Sequence, residues 1–309
     1  MSNYTPTKEE ITAVKGKGFL LDKTTGRHFN ARVLTVNGRM TSEQMEFIAD
    51  AARKFGNGSV ALTTRLTVEI QHIPYENISP LIEYLESNGY DVGGTGPRVR
   101  PIVSCKGTTC HFGLIDTYSL SEKIHYRFYK GYHQVKLPHK FKIAVGGCPN
   151  NCVKPSLNDV GIIGARVPVI NAEKCRGCKI CAVEKACPVG AAHIEDGKIS
   201  IPKDECNSCG RCKGKCPFGA VEEYVDGYKL YIGGRWGKKY AIGRPLTHVF
   251  TTEDEILDVI EACILLFKDK GITGERFSDT IERLGFENVE AELCGGDLLQ
   301  RKADIINKP

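Results

Sequence analysis

The sequence lacks several features that would assign a protein quickly to a class. It has no apolar run long enough to span a bilayer, and residues 1–10 lack the apolar core of a signal peptide. Lysine and arginine are interspersed with acidic residues, so the formal net charge of +5 does not indicate a nucleic-acid partner. No Gly-x-Gly-x-x-Gly opens a strand–helix unit, which argues against a bound flavin or nicotinamide. The mild positive charge fits an anionic substrate, an anionic cofactor or an acidic protein partner.

Cysteine is the residue that the sequence has in excess. There are 14 cysteines among 309 residues, and most of them recur at short, repeated spacings. Such spacings suit metal ligation better than disulfides. Because no signal peptide is predicted, we expect a reducing, cytoplasmic compartment in which these thiols stay available as ligands.

The length predicts two domains, and the periodicity predicts an α+β fold. A chain of 309 residues is near the length at which one core stops growing. Residues 1–25 are polar and are expected to be weakly structured. A strand–helix–strand–helix order follows, with a second set of elements later in the chain. The expected strands are 32–36, 59–63, 66–70, 141–145, 158–163 and 228–232, and the expected helices are 42–55, 75–88, 119–130, 253–268 and 276–284.

Residues 175–216 contain eight cysteines in two similar halves, each ending in Cys-Pro. The spacings are Cys175-x2-Cys178-x2-Cys181-x5-Cys187 and Cys206-x2-Cys209-x2-Cys212-x3-Cys216. They resemble the bacterial two-cluster ferredoxins, in which the fourth cysteine of each run ligates the other cluster. The resemblance implies one [4Fe–4S] cluster on Cys175, Cys178, Cys181 and Cys216, and a second on Cys187, Cys206, Cys209 and Cys212. The alternative is a pair of structural zinc sites.

Four further cysteines flank a pair of lysines. They are Cys105-x4-Cys110 and, after two glycines, Cys148-x3-Cys152. Lys140 and Lys142 come just before this second pair. On a strand, residues two apart point to the same face, so both ammonium groups are expected to project together.

This arrangement resembles the sirohaem-dependent sulfite and nitrite reductases. In that family four such cysteines hold a [4Fe–4S] cluster and the last one also bridges to the sirohaem iron, which would be Cys152 here. The family's first pair is usually separated by five residues, whereas four separate Cys105 and Cys110. The alternative is a third cluster without haem.

The resemblance covers nearly the whole chain outside the cysteine-rich insert. It implies that Arg32, Arg100, Lys140 and Lys142 bind the substrate anion. It also implies that Arg65, within Leu62–His72, binds a sirohaem carboxylate. Arg98, Arg235 and Lys238 are further carboxylate candidates, although each of these three, like Lys239, could instead face water.

For several other residues the sequence favours a structural role. Arg32 considered alone fits a surface arginine, and Cys263 fits the apolar face of a helix. His72 and His111 fit structural histidines, with a role as proton donors as the alternative. Cys294 has no partner that the sequence identifies.

The family resemblance implies a six-electron reduction of sulfite to sulfide, with nitrite as the alternative substrate. Arginine and lysine would hold the oxyanion and stabilise charge on departing oxygen. In plant-type nitrite reductases the second lysine is commonly asparagine, so Lys142 favours sulfite. A different class, a non-catalytic electron-transfer protein, would use the same clusters without haem.

The family resemblance also implies how the domains are arranged along the chain and which partners the protein has. We expect a ferredoxin-like α+β part at 1–90, a sirohaem and [4Fe–4S] mixed-sheet domain at 91–165 and 223–309, and an inserted two-cluster ferredoxin domain at 166–222. Such an insert is the arrangement of the dissimilatory and anaerobic enzymes, and a chain of this size most resembles the catalytic subunits of anaerobic sulfite reductases. A flavoprotein, an iron–sulfur subunit or a ferredoxin would supply electrons. Larger relatives carry two copies of the half-domain, so we expect a homo- or hetero-oligomer.

Overall fold

The structure is a computed structural model that describes residues 4–308. Within it the chain alternates between two structural units. The first unit comprises the chain up to Ser104, Ser119–Ala144 and the chain from Glu261 onward. The second comprises Cys105–Tyr118 and Val145–Ile260. No helix among the described residues is long and apolar enough to cross a membrane.

The first unit opens with a four-stranded antiparallel sheet and its helices. The strand order is β1-β2-β4-β3. The elements are α1 (Lys8–Lys15), β1 (Phe19–Leu21), β2 (Phe29–Val33), α2 (Ser42–Phe55), β3 (Val60–Leu62), β4 (Val68–Ile73) and α3 (Ile78–Glu86). The helices predicted at 42–55 and 75–88 and the strands predicted at 59–63 and 66–70 are confirmed as α2, α3, β3 and β4. The strand predicted at 32–36 overlaps β2 only at Arg32 and Val33, and α1 and β1 were not predicted.

The apolar pattern explains how these elements pack. Phe29, Ala31 and Val33 alternate along β2 and are fully buried, while Ile48 and Ala52 of α2 lie in the same core. Thr41 caps α2 through a reciprocal pair of hydrogen bonds with Gln44. The same kind of capping box at Thr7 and Glu10 starts α1. The expectation of weak structure over residues 1–25 is therefore wrong for Lys8–Lys15 and Phe19–Leu21, because the hydrogen bonds of the cap stabilise a helix that the apolar pattern does not indicate. Residues 1–3 lie outside the described residues. Met45, expected on the apolar face of α2, is 60% exposed.

The remaining elements complete both units. They are β5 (Val103–Ser104), α4 (Thr117–Ile124) with a π-helical continuation over His125–Lys130, β6 (Ile143–Gly146), β7 (Val160–Pro168), α5 (Ala182–Ala186), β8 (His193–Glu195), β9 (Lys198–Ser200), β10 (Tyr224–Ile232), β11 (Arg244–Phe250), α6 (Glu253–Lys270), α7 (Phe277–Leu284), α8 (Phe286–Cys294), α9 (Asp297–Gln300) and α10 (Lys302–Ile306). Five strands form a sheet in the order β11-β10-β7-β6-β5. The sequence did not predict α8, α9 and α10, which are short and interrupted by Gly285, Gly295 and Gly296.

The cysteine-rich segment of the second unit has a small core of its own. Val183, Ala192, Ile199, Ala220 and Val221 are all at most 5% exposed. The chain enters and leaves this segment side by side, because the Val169 N–H donates to the Glu223 carbonyl at 2.9 Å.

Candidate functional site

The four cysteines outside the insert lie in the second unit, on two adjacent chain segments. Cys105 follows β5, and its N–H donates to the Val145 carbonyl of β6 at 3.0 Å. Cys148 follows the end of β6. Burial raises the pKa of the Cys148 thiol, and the nearby thiols of Cys105, Cys110 and Cys152 raise this pKa further. The four predicted ligands therefore lie near one another, although among residues 4–308 no three His, Cys, Asp or Glu side chains are close enough together to hold a metal ion as they stand.

Two glycines allow these segments to approach each other. A Cβ on Gly147 would lie 2.7 Å from Gly107 Cα and 3.5 Å from Cys105 Sγ. The Gly147 N–H already donates to Cys105 Sγ, with 3.1 Å between nitrogen and sulfur. A backbone donor to sulfur favours the thiolate, which is the form that ligates iron. The Gly-Gly before Cys148 thus gives the sulfurs room and a hydrogen bond.

The loop that follows Cys148 is fixed by turns and by a hairpin. Asn151 and Lys154 adopt left-handed backbone angles, with φ of 57° and 50°. The turn between β10 and β11 packs on this loop, because the Gly243 N–H donates to the Ser156 carbonyl at 2.7 Å. A Cβ on Gly234 would lie only 2.3 Å from that same carbonyl oxygen.

This hairpin carries the predicted cations of the second unit. The backbone of Arg235 pairs with Ala241 through two hydrogen bonds of 2.9 Å, and Lys238 and Lys239 lie at the exposed tip. Their predicted roles as cofactor ligands remain predictions.

The first unit gathers the other predicted cations on one face. Val99 pairs with Phe141 in a parallel bridge, and the Arg100 N–H donates to the Phe141 carbonyl at 2.8 Å. Val99 and Phe141 are at most 2% exposed and point into the core. Side chains alternate along extended segments, so the residues on either side share the opposite face. These residues are Arg98, Arg100, Lys140 and Lys142.

Arg100 lies in a concentration of buried positive charge. Burial lowers its pKa to about 10, and the nearby cations Arg32, Arg276 and Arg98 contribute to this lowering. One terminal nitrogen of Arg100 donates to the Gly94 carbonyl, whereas its buried Nε has no hydrogen-bond partner in residues 4–308. Arg32 faces Glu69, with 3.6 Å between its Nε and the carboxylate oxygen. Asp279 accepts a hydrogen bond from the Arg276 N–H at 3.1 Å. These four arginines therefore outnumber the two carboxylates, Glu69 and Asp279, that the described contacts place beside them, which suits an anion.

Arg276 is the residue of this cluster that sequence reasoning missed. It is 5% exposed, although arginine is rarely buried so completely. Nothing in the local sequence separates Arg276 from an ordinary helix-start residue. Arg276 and Arg100 are far apart in the sequence, so the sequence does not show that they lie close together in the fold.

Arg65 takes a position that fixes the backbone near this cluster. It follows β3 in a turn where Leu66 has a left-handed φ of 57°. Its terminal nitrogen donates to the Pro101 carbonyl at 2.5 Å, next to Arg100 in sequence. Arg65 therefore ties the β3–β4 turn to the strand that carries Arg98 and Arg100.

The eight cysteines of the insert surround two cavities. One cavity of about 80 Å³ is lined by Cys175, Cys178, Cys181 and Cys216. A second of about 20 Å³ is lined by Cys187, Cys206, Cys209 and Cys212. These are the two ligand sets that the ferredoxin resemblance implies, including the exchange of the fourth cysteine between runs.

Backbone donors point at these sulfurs. The Ile199 N–H donates to Cys175 Sγ at 3.3 Å, and the Ser208 N–H to Cys206 Sγ at 3.4 Å. Burial opposes ionisation of Cys187, yet backbone N–H groups led by that of Val189 lower the pKa of this thiol. Thiolates held by N–H donors around a cavity fit iron–sulfur ligation.

Strand β7 connects the second cavity with the Cys148 loop. A Cβ on Gly164 would lie 2.5 Å from the Gly147 carbonyl oxygen. Two residues along, the Arg166 N–H donates to the Ser208 carbonyl at 2.8 Å, and Arg166 pairs with Cys209. The Cys148 group and the Cys206 group therefore lie against neighbouring positions of the same strand.

The remaining candidates occupy structural positions. His72 faces Asp22, with 3.5 Å between its Nε2 and the carboxylate oxygen, and lies on β4. His111 is exposed and contacts the ring of Phe112 edge-on. Cys263 is fully buried in α6, as predicted, and burial raises the pKa of its thiol. Cys294 is exposed at the end of α8.

Comparison with known proteins finds relatives that match most of this chain. An uncharacterized protein of Methanocaldococcus jannaschii is 33% identical over 261 residues, which is 84% of this chain and 89% of that protein. The coenzyme F420-dependent sulfite reductase of the same organism is 32% identical over 82% of this chain, which spans 41% of that larger protein. A subunit of the anaerobic sulfite reductase of Salmonella typhimurium is 30% identical over 81% of this chain and 74% of its own length.

Solved structures show the same fold at low sequence identity. Dissimilatory sulfite reductase I has a TM-score of 0.68 at 22% identity, covering 88% of this chain and 70% of its own. The NirA protein of Mycobacterium tuberculosis has a TM-score of 0.66 at 15% identity, covering 96% of this chain but 48% of its own.

Two family models account for most of the sequence. Residues 22–88 match the nitrite/sulfite reductase ferredoxin-like half domain. Residues 95–301 match the nitrite and sulphite reductase 4Fe-4S domain. The chain therefore belongs to the nitrite and sulfite reductase family.

Proposed function

We propose that this chain is the catalytic subunit of a sirohaem-dependent sulfite reductase that reduces sulfite to sulfide, similar to the matched subunit of the Salmonella anaerobic enzyme. The observation that carries the proposal is the shared face of Arg98, Arg100, Lys140 and Lys142, with Arg32 and Arg276 close to Arg100. Sulfite is a small oxyanion, and a partly dry group of cations binds such an anion and stabilises charge on its oxygens. Lysine also supplies a mobile proton donor, which reduction to sulfide and water requires.

The residues present fit sirohaem. The buried Nε of Arg65 is a donor from which a carboxylate of the cofactor would accept a hydrogen bond, and Arg98 lies on the segment to which Arg65 is hydrogen-bonded. Arg235 and Lys238, on the hairpin beside the Cys148 loop, are the proposed carboxylate ligands of the second unit. Cys152, exposed at the end of that loop, would bridge to the iron. When bound, sirohaem supplies the iron that binds sulfur and takes part in the electron transfers.

Twelve cysteines in three groups of four would hold three [4Fe–4S] clusters, which supply one-electron transfer. Residues 166–222 would form the inserted two-cluster ferredoxin domain between 91–165 and 223–309, with 1–90 as the ferredoxin-like part. The side-by-side entry and exit at Val169 and Glu223 support the insertion. Because β7 holds the Cys148 and Cys206 groups at neighbouring positions, we propose that electrons arrive at the Cys175 group first.

The family description also includes nitrite, and reduction of nitrite to ammonia is the second candidate. Lys142 favours sulfite, because an extra ammonium on the cation face suits the more highly charged anion. We further propose a cytoplasmic location, supported by the many grouped free cysteines. Electrons would come from a flavoprotein, an iron–sulfur subunit or a ferredoxin.

An anaerobic ultraviolet–visible spectrum of the purified protein, recorded before and after sulfite is added to the reduced form, tests the proposal. A red chlorin-type band that shifts with sulfite is the expected result. Comparison of sulfite and nitrite turnover would then assign the main substrate. A brown iron–sulfur spectrum without a chlorin band, from cells that make sirohaem, would favour a non-catalytic electron-transfer protein instead.

A further inference from the structure

The cavity of the Cys175 group opens among exposed apolar side chains. Ile180 is 68% exposed and Phe218 is 47% exposed, and both line this cavity beside the exposed Pro217. Exposed apolar side chains grouped at one opening commonly mark an interaction surface. Here they would lie beside a redox centre, where close approach of a partner matters most.

The chain segments around this opening carry an excess of positive charge. Residues 173–184 and 213–222 contain five cations and three acidic residues. The cations are all exposed. They are Lys174, Arg176, Lys179, Lys213 and Lys215. Lys213 lies over the ring of Tyr224, with 5.6 Å between its Nζ and the ring centroid. We call the other four cations, with Ile180, Pro217 and Phe218, the basic rim.

The opening of the other insert cavity also has exposed apolar residues, Pro188 and Val189, but it differs in the charge of its surroundings. Its lining includes Asn207 and Gly210, and the neighbouring stretch Lys203–Glu205 mixes both charge signs. Strand β7 lies against this group through Arg166, and Lys229 of β10 donates to the Cys206 carbonyl at 3.3 Å. The sheet therefore covers the Cys206 group from one side.

We propose that the basic rim is the docking surface for a small acidic iron–sulfur protein that donates electrons to this chain. The inference rests on the proposed function, since it takes the Cys175 group to hold a cluster. The rim's charge complements an acidic partner and steers its approach, while the apolar side chains exclude water at the contact. Each encounter moves one electron: the partner's cluster is oxidised by one electron, this chain's cluster is reduced by one, and no atom or proton is transferred.

The test measures binding and not turnover. The probe is a small acidic two-cluster bacterial ferredoxin, titrated calorimetrically into the cluster-loaded full-length protein at low and high salt. Wild-type protein is expected to bind with an affinity that falls as salt rises. The double variant Lys179→Glu/Lys215→Glu should weaken binding by about tenfold or more at low salt. Ile180→Ser should weaken binding without changing its salt dependence.

The matched control is Lys203→Glu, a charge reversal on the same insert beside the other cavity. It should bind the ferredoxin as wild type does, and iron content should match wild type in every variant. Equal loss of affinity in Lys203→Glu, or the absence of salt-dependent binding by wild type, would overturn the proposal. So would a double variant that changes the cluster's potential in an electron paramagnetic resonance titration but binds normally.

The readouts keep the two proposals separate. Sulfite reduction with a small dye as electron donor, measured on wild-type protein, tests the proposed function alone. Salt-dependent binding that is lost in the rim variants supports the docking surface even if no anion is reduced.

Discussion

Arg100 illustrates how a single buried cation is tolerated in this fold. At neutral pH it remains charged, because burial and neighbouring arginines lower its pKa only to about 10. Its charge is offset in part by the Gly94 carbonyl, whereas the Glu69 carboxylate faces Arg32 and the Asp279 carboxylate accepts from the Arg276 N–H. A buried cation so placed gains most when an anion occupies the site. The repulsion that destabilises this group of arginines on its own would therefore strengthen the binding of an anion.

Replacing Lys142 with asparagine removes one cation from that face and keeps a polar side chain. We expect Lys142→Asn to lower sulfite turnover by about 10²-fold, the typical effect of removing one electrostatic donor. The haem absorbance should stay unchanged. Steady-state kinetics and the visible spectrum of the same preparation provide the measurement. The control is Lys136→Asn, since Lys136 is exposed on the same stretch; loss of haem in Lys142→Asn would mean that the lysine is structural.

His125 should make stability depend on pH. It is 2% exposed, and burial lowers its pKa to about 4, with Lys130 adding to the effect and Asp91 opposing it. Between pH 4 and 6.5 the unfolded chain binds more protons at this histidine than the folded chain does, so stability falls as pH decreases through this window. From pH 7 to pH 5 the loss is about 2 kcal/mol.

His125→Phe should remove this part of the pH dependence while keeping a ring stacked on Tyr129. Thermal unfolding midpoints, recorded anaerobically at pH 7 and pH 5, would show a smaller acid-induced decrease for the variant than for wild type. The exposed His248→Gln is the control and should behave as wild type. An equal decrease in His125→Phe would show that this histidine does not account for the loss.

At the scale of elements, the loop after β6 depends on close backbone contact. Gly147→Ala would place a Cβ 2.7 Å from Gly107 Cα, inside any allowed contact. We expect the variant to lose about four irons per chain, the content of one [4Fe–4S] cluster, together with the haem. Iron analysis and the visible spectrum of protein purified anaerobically would measure this. Gly16→Ala is the control, because Gly16 has helical backbone angles and nothing lies within 4 Å of its would-be Cβ. Retention of full iron in Gly147→Ala would show that the loop can move.

The elements and sites that depend on neighbouring residues could be predicted from the sequence more often than those that depend on tertiary contacts. The cysteine groups were predictable because ligand spacing is set within short loops, and Lys140 and Lys142 because strand periodicity alone places them together. The capped helix α1 and the short helices α8 to α10 were not predictable, because their stability comes from caps and tertiary packing rather than from a long apolar stripe. The role of Arg276 was not predictable either, because its position beside Arg100 depends on a tertiary contact.

At the scale of the whole molecule, the family's larger members suggest an assembly. The matched NirA structure aligns with 96% of this chain but with only 48% of its own chain, so about half of that chain lies outside the match. We propose that this chain associates with a second chain, and closed twofold pairing is the commonest form of such association.

We therefore expect this chain to sediment as an assembly and not at the 34.0 kDa of one chain. Sedimentation velocity at several protein concentrations, with cluster absorbance followed in the same cell, would show whether the species that carries the cofactors is the associated one. If the chain purifies alone as a monomer, adding a homologous chain from the same cells should shift its sedimentation and raise its sulfite turnover. A strictly monomeric protein with full activity would show that one half suffices, and the cations and thiols described above would then have to complete the site without a partner.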